Sequence, residues 1–387
     1  MPNPNAIVST FISLDPPLDR APADLLRSER GIAVELEAGR RVRLDPANGR
    51  SVGFAQILDG LSKQKLPVYL EVDPATSSIT RLLIPHVTRV ANMRSGEEGL
   101  DVEIDLSQGR HVLRRDTPDF VELEKRLRES MRNARVIILT EDDAHNIIDI
   151  RDFIPRADSP PPPLPPFPRP EVPRWLWPLR WLRDLFLLVW RCRWWPWWWF
   201  TSRCMSTVRA QQVFDAMAAT TCNPLTVPVP CVPFMYPDDG CWGRAHEMCR
   251  LMIQMGVAPK KVWIQRVEPG LLHVNTRNNP NCFVEWFWHV APTICVWRRH
   301  WWWFSCGQEM VIDPALFTTP VTKATWKAAQ NNPGATLTDS DWTIFYLWGM
   351  VTDPTFTQTN QVLTDYRLQL QLRSLGPAGP PPYSNCP

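Results

Sequence analysis

A run of prolines divides the chain and limits what either side of it can fold into. Residues 159–173 read S-P-P-P-P-L-P-P-F-P-R-P-E-V-P, so nine of these fifteen positions are proline. Proline fixes φ and lacks the backbone donor, which disfavours helix and sheet and favours an extended polyproline II segment. The run predicts a linker over residues 158–204. We interpret it first as a spacer and second as a ligand for an SH3-like partner.

The second half of this linker, residues 174–204, is rich in tryptophan and arginine. It contains nine of the 20 tryptophans of the chain. Its longest uncharged runs, 185–190 and 194–202, are far shorter than the roughly 20 apolar residues of a membrane-spanning helix. Indole rings next to arginines are typical of a membrane headgroup interface. The segment therefore predicts contact with a membrane surface or a partner protein, with packing inside the molecule as the alternative.

The charges and the first residues restrict partners and location. The chain carries 42 basic and 40 acidic residues, and this balance predicts no nucleic-acid partner. The first five residues, M-P-N-P-N, do not resemble a Sec-type signal peptide, which has a basic stretch followed by an apolar one. We therefore expect the protein to be cytoplasmic or exported by a non-Sec route.

Cysteine is confined to the second half of the chain. All ten cysteines follow residue 191. An even number predicts disulfides if the protein is exported to an oxidising compartment. The candidates for such bonds are Cys222, Cys231, Cys282, Cys295 and Cys306.

Residues 1–157 predict a small β-rich N-terminal module. Short alternating runs bounded by turn residues are typical of strands, and charged and apolar residues at helical spacing predict a helix over 121–132. The predicted strands include 31–36, 41–44, 67–72, 79–85, 100–106 and 136–140. The histidines of the module, His86, His111 and His145, are scattered along the sequence. We expect a structural, regulatory or binding role for this part.

Residues 237–256 predict a helix that begins at a cysteine. Asp238-Asp239-Gly240 is a turn that can cap a helix, and apolar residues then recur at helical spacing until Gly256. Cys241 therefore lies in the first turn, where unpaired N–H groups and the helix dipole favour the thiolate form. Because thiolate is the nucleophilic form, Cys241 is a candidate nucleophile.

A base and an orienting carboxylate follow in the sequence. Residues 282–290 predict a strand in which alternation places His289 and Trp286 on opposite faces. Asp313 comes after a short strand and before a proline. A nucleophilic thiol needs a base within reach, and the base needs an orienting group. The order Cys241, His289, Asp313 therefore predicts a triad of the papain-like or transglutaminase-like kind.

Zinc is a competing use of the same region. Five potential ligands fall within 25 residues, namely Cys282, His289, Cys295, His300 and Cys306. Their spacing lacks the short pairs of cysteines that are typical of structural zinc sites. The sequence therefore predicts no metal here.

Several motifs in this region stand in the order found in one enzyme family. They are D-G-C-W-G-R-A-H-E-M at 239–248, W-F-W-H-V-A at 286–291 and V-I-D-P-A-L-F at 311–317, followed by P-V-T-K-A-T-W at 320–326. Together they resemble the bacterial protein-glutaminase, or protein-glutamine deamidase, family, which has a transglutaminase-like core. The resemblance covers about residues 237–350 and implies that Cys241, His289 and Asp313 are the catalytic triad.

The resemblance also implies a reaction. It is the hydrolytic deamidation of glutamine in a protein or peptide, with release of ammonia, a thioester intermediate and no metal or cofactor. The aromatic residues Trp242, Trp286 and Trp288 are candidates for binding the substrate. One alternative is a transglutaminase or cysteine protease with the same triad. The other is a non-catalytic protein that binds a membrane surface or a partner.

The whole chain is predicted to be α+β and to have four parts. They are the β-rich module at 1–157, the proline-rich and tryptophan-rich linker at 158–204, a papain-like or transglutaminase-like catalytic domain at 205–375, and a disordered tail at 376–387. The tail prediction rests on its composition, G-P-A-G-P-P-P-Y-S-N-C-P, and on its terminal position.

Overall fold

A computed structural model of the chain describes residues 5–28, 31–155, 164, 192–193, 204–226, 230–301 and 304–387. Within these ranges the chain combines helices with antiparallel sheets, which confirms the predicted mixed class. Most of the predicted linker at 158–204 lies outside the described residues, so its role at a membrane or partner surface stays a prediction. Among the described helices, none is long and apolar enough to cross a membrane.

The described residues form two compact units. The first comprises the described parts of Met1–Pro168, Asn223–Pro228 and Thr364–Tyr383. The second comprises those of Arg169–Cys222, Val229–Leu363 and Ser384–Pro387. Residues 364–383 therefore group with the first unit. The sequence analysis assigned them to the catalytic domain at 205–375 and to the tail at 376–387.

Seven α-helices lie within the described residues. They are α1 Pro22–Leu26, α2 Ser51–Gln64, α3 Phe120–Asn133, α4 Thr207–Ala218, α5 Cys241–Gln254, α6 Lys323–Ala328 and α7 Thr357–Ser374. The 22 described strands are β1 Ala6–Ser9, β2 Ile12–Asp15, β3 Ile32–Leu36, β4 Arg41–Leu44, β5 Val68–Val72, β6 Ile79–Leu83, β7 His86–Thr88, β8 Val90–Ser95, β9 Gly99–Ile104, β10 His111–Arg114, β11 Ile137–Glu141, β12 Ile147–Asp152, β13 Cys192–Arg193, β14 Lys260–Gln265, β15 Leu272–Asn275, β16 Phe283–Trp286, β17 Trp288–Trp301, β18 Phe304–Val311, β19 Val321–Thr322, β20 Thr336–Asp341, β21 Ile344–Tyr346 and β22 Val351–Thr352.

The first unit is built from three-stranded antiparallel sheets over two apolar cores. Strands β1-β5-β6 and β2-β3-β4 enclose one core with α2, and strands β10-β9-β8 and β12-β11-β7 enclose the other with α3. The strands predicted from alternation in this part match β3, β4, β5, β6, β9 and β11, and the predicted helix matches α3. Strands β3 and β4 bury every second residue and α3 buries one stripe, so alternation and helical spacing were sufficient for them. Strands β5, β9 and β11 instead bury nearly all of their residues.

The second unit is organised around a six-stranded antiparallel sheet. Its order is β13-β18-β17-β14-β20, with β19 beside β18. Helix α5 packs on β17 through apolar side chains such as Met248 and Met252, which share a core with Ile294 and Val296. Buried methionines and β-branched residues exclude water from this layer, and their burial fixes where the start of α5 meets the sheet.

The strand predicted at 282–290 is interrupted in the structure. Phe287 lies between β16, which pairs with β15, and β17, which belongs to the large sheet. The interruption changes the phase of the side chains, and as a result Trp286 stacks on His289 with ring centroids 4.4 Å apart. The prediction that these two side chains lie on opposite faces is therefore wrong, because strict alternation holds only along a continuous strand.

The C-terminal residues also differ from the expected disordered tail. Tyr383 and Cys386 are buried, and Cys386 forms a disulfide with Cys282. A covalent bond and two buried side chains hold a stretch whose composition alone predicts disorder. Two further disulfides join Cys204 to Cys295 and Cys222 to Cys231.

The three histidines of the first unit, which are scattered in the sequence, meet in space. His86, His111 and His145 all have a ring nitrogen within 3.3 Å of the Glu141 carboxylate. No sequence motif connects them, because four separate elements bring them together.

Candidate active site

Cys241 is the first residue of α5, as predicted. Gly240 before it has φ 79°, a left-handed conformation that glycine adopts without steric cost, and this turn directs the chain into the helix. The Cys241 side chain is only 1% exposed. Its sulfur accepts a hydrogen bond from the backbone N–H of Val290, the residue that follows His289 on β17. The thiol therefore lies against the strand that carries the candidate base.

Burial dominates the acidity of this thiol. It raises the pKa of Cys241 well above its usual value, whereas the positive charge of Arg244 and the N–H of Val290 lower the pKa and the carboxylates of Asp239 and Asp313 raise it. The expectation that the helix start favours thiolate is therefore wrong for this structure, because the dipole does not compensate for lost hydration. A buried protonated thiol needs a base for activation.

His289 has one ring nitrogen bonded and one available. Its Nε2 lies 2.9 Å from Oδ2 of Asp313, and the ring stacks between Trp286 and Trp326 at centroid distances of 4.4 and 5.4 Å. Among the described residues, Nδ1 has no hydrogen-bond partner although it is buried. The structure thus joins His289 to Asp313 by a hydrogen bond, but it does not join His289 to Cys241 in this way.

Asp313 is held in the ionised form. Burial by itself raises the pKa of this carboxyl, but the charge of His289 and the hydrogen bonds from His289 and Trp326 outweigh it, and the net pKa is lowered. The Trp326 indole N–H donates to the same Oδ2 at 2.9 Å. A buried carboxylate with two such donors orients an imidazole and stabilises its protonated form.

Two residues of the site had no role in the sequence interpretation. Trp326 donates to Asp313 and stacks on His289, and Arg244 lies close enough to lower the pKa of Cys241 and of Asp313. The Arg244 Nη1 also donates to the backbone carbonyls of Tyr236, at 2.9 Å, and of Asp239. Both residues belong to the quoted motifs, at 239–248 and 320–326, so the signal was present without an assigned role.

The three candidate substrate-binding tryptophans occupy different positions. All are buried. Trp286 stacks on the candidate base, and its indole N–H donates to the Asp238 carbonyl at 3.1 Å. Trp242 and Trp288 pack on each other at a centroid distance of 5.7 Å, within an aromatic cluster that includes Trp348. Their role in substrate binding stays a prediction.

Three of the five potential zinc ligands have other partners in the structure. Cys282 and Cys295 are bonded to Cys386 and Cys204, and His289 is bonded to Asp313. A disulfide sulfur is not a thiolate ligand. The side chains of His300 and Cys306 lie outside the described part of the chain.

A stretch of the chain that includes the candidate site matches a known family model. Residues 210–330 match the model of a glutamine-deamidase family described as glutaminase. This region is glutaminase-like. The match confirms the protein-glutaminase resemblance of the three motifs and supports glutamine deamidation as the general chemistry. It covers about a third of the chain and includes every residue of the site described above. No curated protein matches the chain significantly.

Solved structures of protein-glutaminases are similar to the chain at low identity. A crystal structure of pro-protein-glutaminase is 19% identical, with 79% of this chain and 99% of that chain covered and a TM-score of 0.48. A crystal structure of protein-glutaminase is 23% identical, with 48% and 100% covered and a TM-score of 0.36. The NMR structure of protein-glutaminase from Chryseobacterium proteolyticum is 26% identical, with 48% and 97% covered and a TM-score of 0.38.

Proposed function

We propose that the second unit hydrolyses the side-chain carboxamide of glutamine in proteins or peptides, with Cys241 as nucleophile, His289 as base and Asp313 as orienting carboxylate. The glutaminase match over residues 210–330 supports the general chemistry. The observation that carries the finer proposal is the state of the His289 ring. The ring stacks between the indoles of Trp286 and Trp326, and its Nε2 is hydrogen-bonded to Asp313. Its Nδ1 is available among the described residues, and the next residue of the strand, Val290, contacts the thiol.

The first half of the reaction forms a thioester. Nδ1 of His289 takes the thiol proton as the sulfur of Cys241 attacks the carboxamide carbon, and the protonated ring then gives that proton to the departing ammonia. Asp313 stabilises the imidazolium between these transfers. The positive charge of Arg244 stabilises the developing thiolate, since this charge lowers the pKa of Cys241.

The second half of the reaction returns the free enzyme. His289 removes a proton from water, and the resulting hydroxide attacks the thioester carbon. The sulfur then leaves and takes that proton back from the imidazolium, which regenerates the thiol and the neutral ring as the glutamic acid side chain is released. The backbone N–H of Cys241 is at the first position of α5, which has no intrahelical acceptor, and it is our candidate donor to the oxyanion. Atoms and protons balance without a metal or cofactor.

The test is ammonia release from a blocked peptide with one glutamine, measured with the full chain before and after limited proteolysis, because Cys241 and His289 are almost fully buried. We expect wild type to release ammonia and to convert the glutamine to glutamate by mass. Cys241→Ala is expected to abolish turnover. Cys249→Ala is the matched control, since Cys249 is the other free, buried thiol on the same helix among the described residues.

The outcomes separate deamidation from its alternatives. Incorporation of an added amine in place of water would indicate transfer, and cleavage of the peptide backbone would indicate proteolysis. Ammonia release at the wild-type rate by Cys241→Ala would remove Cys241 as the nucleophile. Absence of turnover from every form of the wild-type chain would refute the proposal.

A further inference from the structure

A second cluster of titratable side chains lies in the first unit. Glu141 is surrounded by three imidazoles. Nδ1 of His145 lies 2.7 Å from Oε1, Nε2 of His86 lies 3.3 Å from the same oxygen, and Nδ1 of His111 lies 2.5 Å from Oε2. Three of the seven histidines of the chain therefore direct a ring nitrogen at one carboxylate.

Strand register, rather than sequence proximity, builds this cluster. His86 begins β7 and is paired opposite Leu139 of β11, two residues before Glu141. A register shift between β11 and β12 falls at Thr140 and Glu141 and redirects the end of β11. The His145 carbonyl accepts from the N–H of Val112, the residue after His111, and this bond fixes β10 beside the turn that carries His145.

The donor atoms have the spacing of a metal site. One ligand atom from each of His86, His111 and Glu141 lies within 4.8 Å of the other two. In a tetrahedral zinc site with bonds of about 2.0–2.1 Å, ligand atoms are about 3.3 Å apart, so only small side-chain movements are needed. Imidazole nitrogens with one carboxylate are a typical zinc ligand set.

The surroundings of His111 also fit a ligand role. The His111 side chain is 1% exposed, and its Nε2 lies 2.8 Å from the Ser107 hydroxyl, which in turn accepts from the N–H of Gly109. A metal-binding imidazole is normally oriented by a hydrogen bond at its other nitrogen. The side chains of His86, His145 and Glu141 are 16%, 19% and 10% exposed, so solvent reaches the carboxylate itself.

We propose that His86, His111 and Glu141 bind one Zn²⁺ ion, that a movement of the His145 ring brings it in as the fourth ligand, and that the ion clips the sheet β10-β9-β8 to the sheet β12-β11-β7. The ion replaces the protons that the imidazoles share with the carboxylate, so binding releases protons and weakens at acidic pH. The clip closes over the apolar core that contains Leu113, Leu139 and Ile147, and it stabilises the folded first unit.

Titration of the chelator-treated full chain with Zn²⁺ tests this proposal, with the free thiols alkylated beforehand. Calorimetry is expected to give one ion per chain, and Co²⁺ in place of Zn²⁺ is expected to give the visible absorption of a tetrahedral site. The double variant His86→Gln/His145→Gln removes two partly exposed ligands and is expected to bind Zn²⁺ more than about 100-fold more weakly. Glu141→Gln, which keeps the shape of the side chain, is expected to weaken binding as well.

The control is His273→Gln, which removes the imidazole of a His–Glu pair in the second unit, where His273 lies 3.5 Å from Glu285. It is expected to bind Zn²⁺ as wild type does. Circular dichroism and melting curves show whether each variant is folded, and Zn²⁺ is expected to raise the melting temperature of wild type but not of the double variant. Absence of Zn²⁺ binding by wild type, or equal affinity in the double variant, would overturn the proposal.

Discussion

At the scale of single residues, the candidate site differs from an ion pair of thiolate and imidazolium. Burial raises the pKa of the Cys241 thiol, while the pKa of Asp313 is lowered. The anion of the resting site is therefore the carboxylate and not the sulfur. In this state the buried thiol retains its proton, so activation depends on how Asp313 holds the ring of His289.

Asp313→Asn tests this dependence. An asparagine at this position can donate its amide N–H to Nε2 of His289. The ring then carries its own proton on Nδ1 and cannot accept the proton of the thiol. The corresponding change in a serine protease triad lowers kcat by about 10⁴-fold, and we expect a loss of similar size in ammonia release. Because Asp313 does not contact the substrate in the proposed mechanism, KM is expected to change little.

The matched control for this change is Asp215→Asn, an exposed aspartate on α4 that accepts from Gln211. It is expected to keep the wild-type rate. Steady-state kinetics of both variants, together with melting curves, check the prediction. An Asp313→Asn enzyme with wild-type kcat would show that the carboxylate has no part in orienting the base.

At the scale of elements, α5 and β14 share a buried polar pair that the proposed mechanism does not use. Nζ of Lys261 lies 2.8 Å from Nδ1 of His246 and 2.6 Å from the Ile344 carbonyl, and both side chains are fully buried. Burial and then the charge of Lys261 lower the pKa of His246 to about 3, although Asp353 opposes this shift. Burial likewise lowers the pKa of Lys261 to about 8.

The pair predicts a loss of stability in acid. An unfolded chain protonates His246 near the usual pKa of 6.5, whereas the folded chain does so only near 3. The unfolded state therefore binds more protons between these values, and the free energy of unfolding falls as pH decreases through this window, by at most about 1.4 kcal/mol per pH unit from this group. Above pH 6.5 the contribution is complete and constant.

His246→Gln is expected to flatten this acid limb, because glutamine offers Lys261 an acceptor but does not titrate. Denaturant unfolding of the full chain at several pH values between 4 and 7 measures the slope for wild type and variant. Equal slopes in the two proteins would mean that His246 is not the group that takes up the proton. NMR titration of the His246 ring gives an independent reading of the same pKa.

The sequence predicts single elements better than it predicts their meeting points. Most predicted strands of the first unit and the helix that begins at Cys241 are correct because period and capping are local properties. The interruption at Phe287 follows from pairing with two different sheets, and sequence alternation cannot register that. The cluster around Glu141 depends on the register of β7, β10 and β11. The sequence therefore shows three scattered histidines and does not predict that they meet.

For the candidate site, the order of three motifs was a stronger signal than the chemistry of any one residue. It named the residues that the structure shows hydrogen-bonded, His289 and Asp313, and the thiol at the helix start. It gave no role to Trp326 or Arg244, because what an indole or a guanidinium does depends on which groups lie close to it in the folded chain. The acidity of Cys241 was misjudged because burial is a property of the folded molecule.

At the scale of the whole molecule, the two units are stabilised by different means. No residue of the first unit is a cysteine, whereas the disulfides of the described residues all lie in the second. A reductant therefore acts on the second unit, and a chelator acts on the first if the proposed zinc clip is present. Unfolding followed separately with each reagent distinguishes the two effects, because among the described residues the disulfides lie in the second unit and the proposed zinc ligands in the first.

The lengths of the closed loops rank the disulfides of the second unit. Cys282–Cys386 joins residues 104 apart in sequence, and Cys222–Cys231 joins residues 9 apart. Restricting the unfolded chain is worth about 4.7 kcal/mol for a loop of about 100 residues and about 2–3 kcal/mol for a loop this short. Replacing the pair Cys282/Cys386 by serine is therefore expected to lower the free energy of unfolding more than replacing Cys222/Cys231. Denaturant unfolding of the two double variants measures the difference, and the reverse order would show that contacts of the folded state, rather than chain entropy, determine the contribution of each bond.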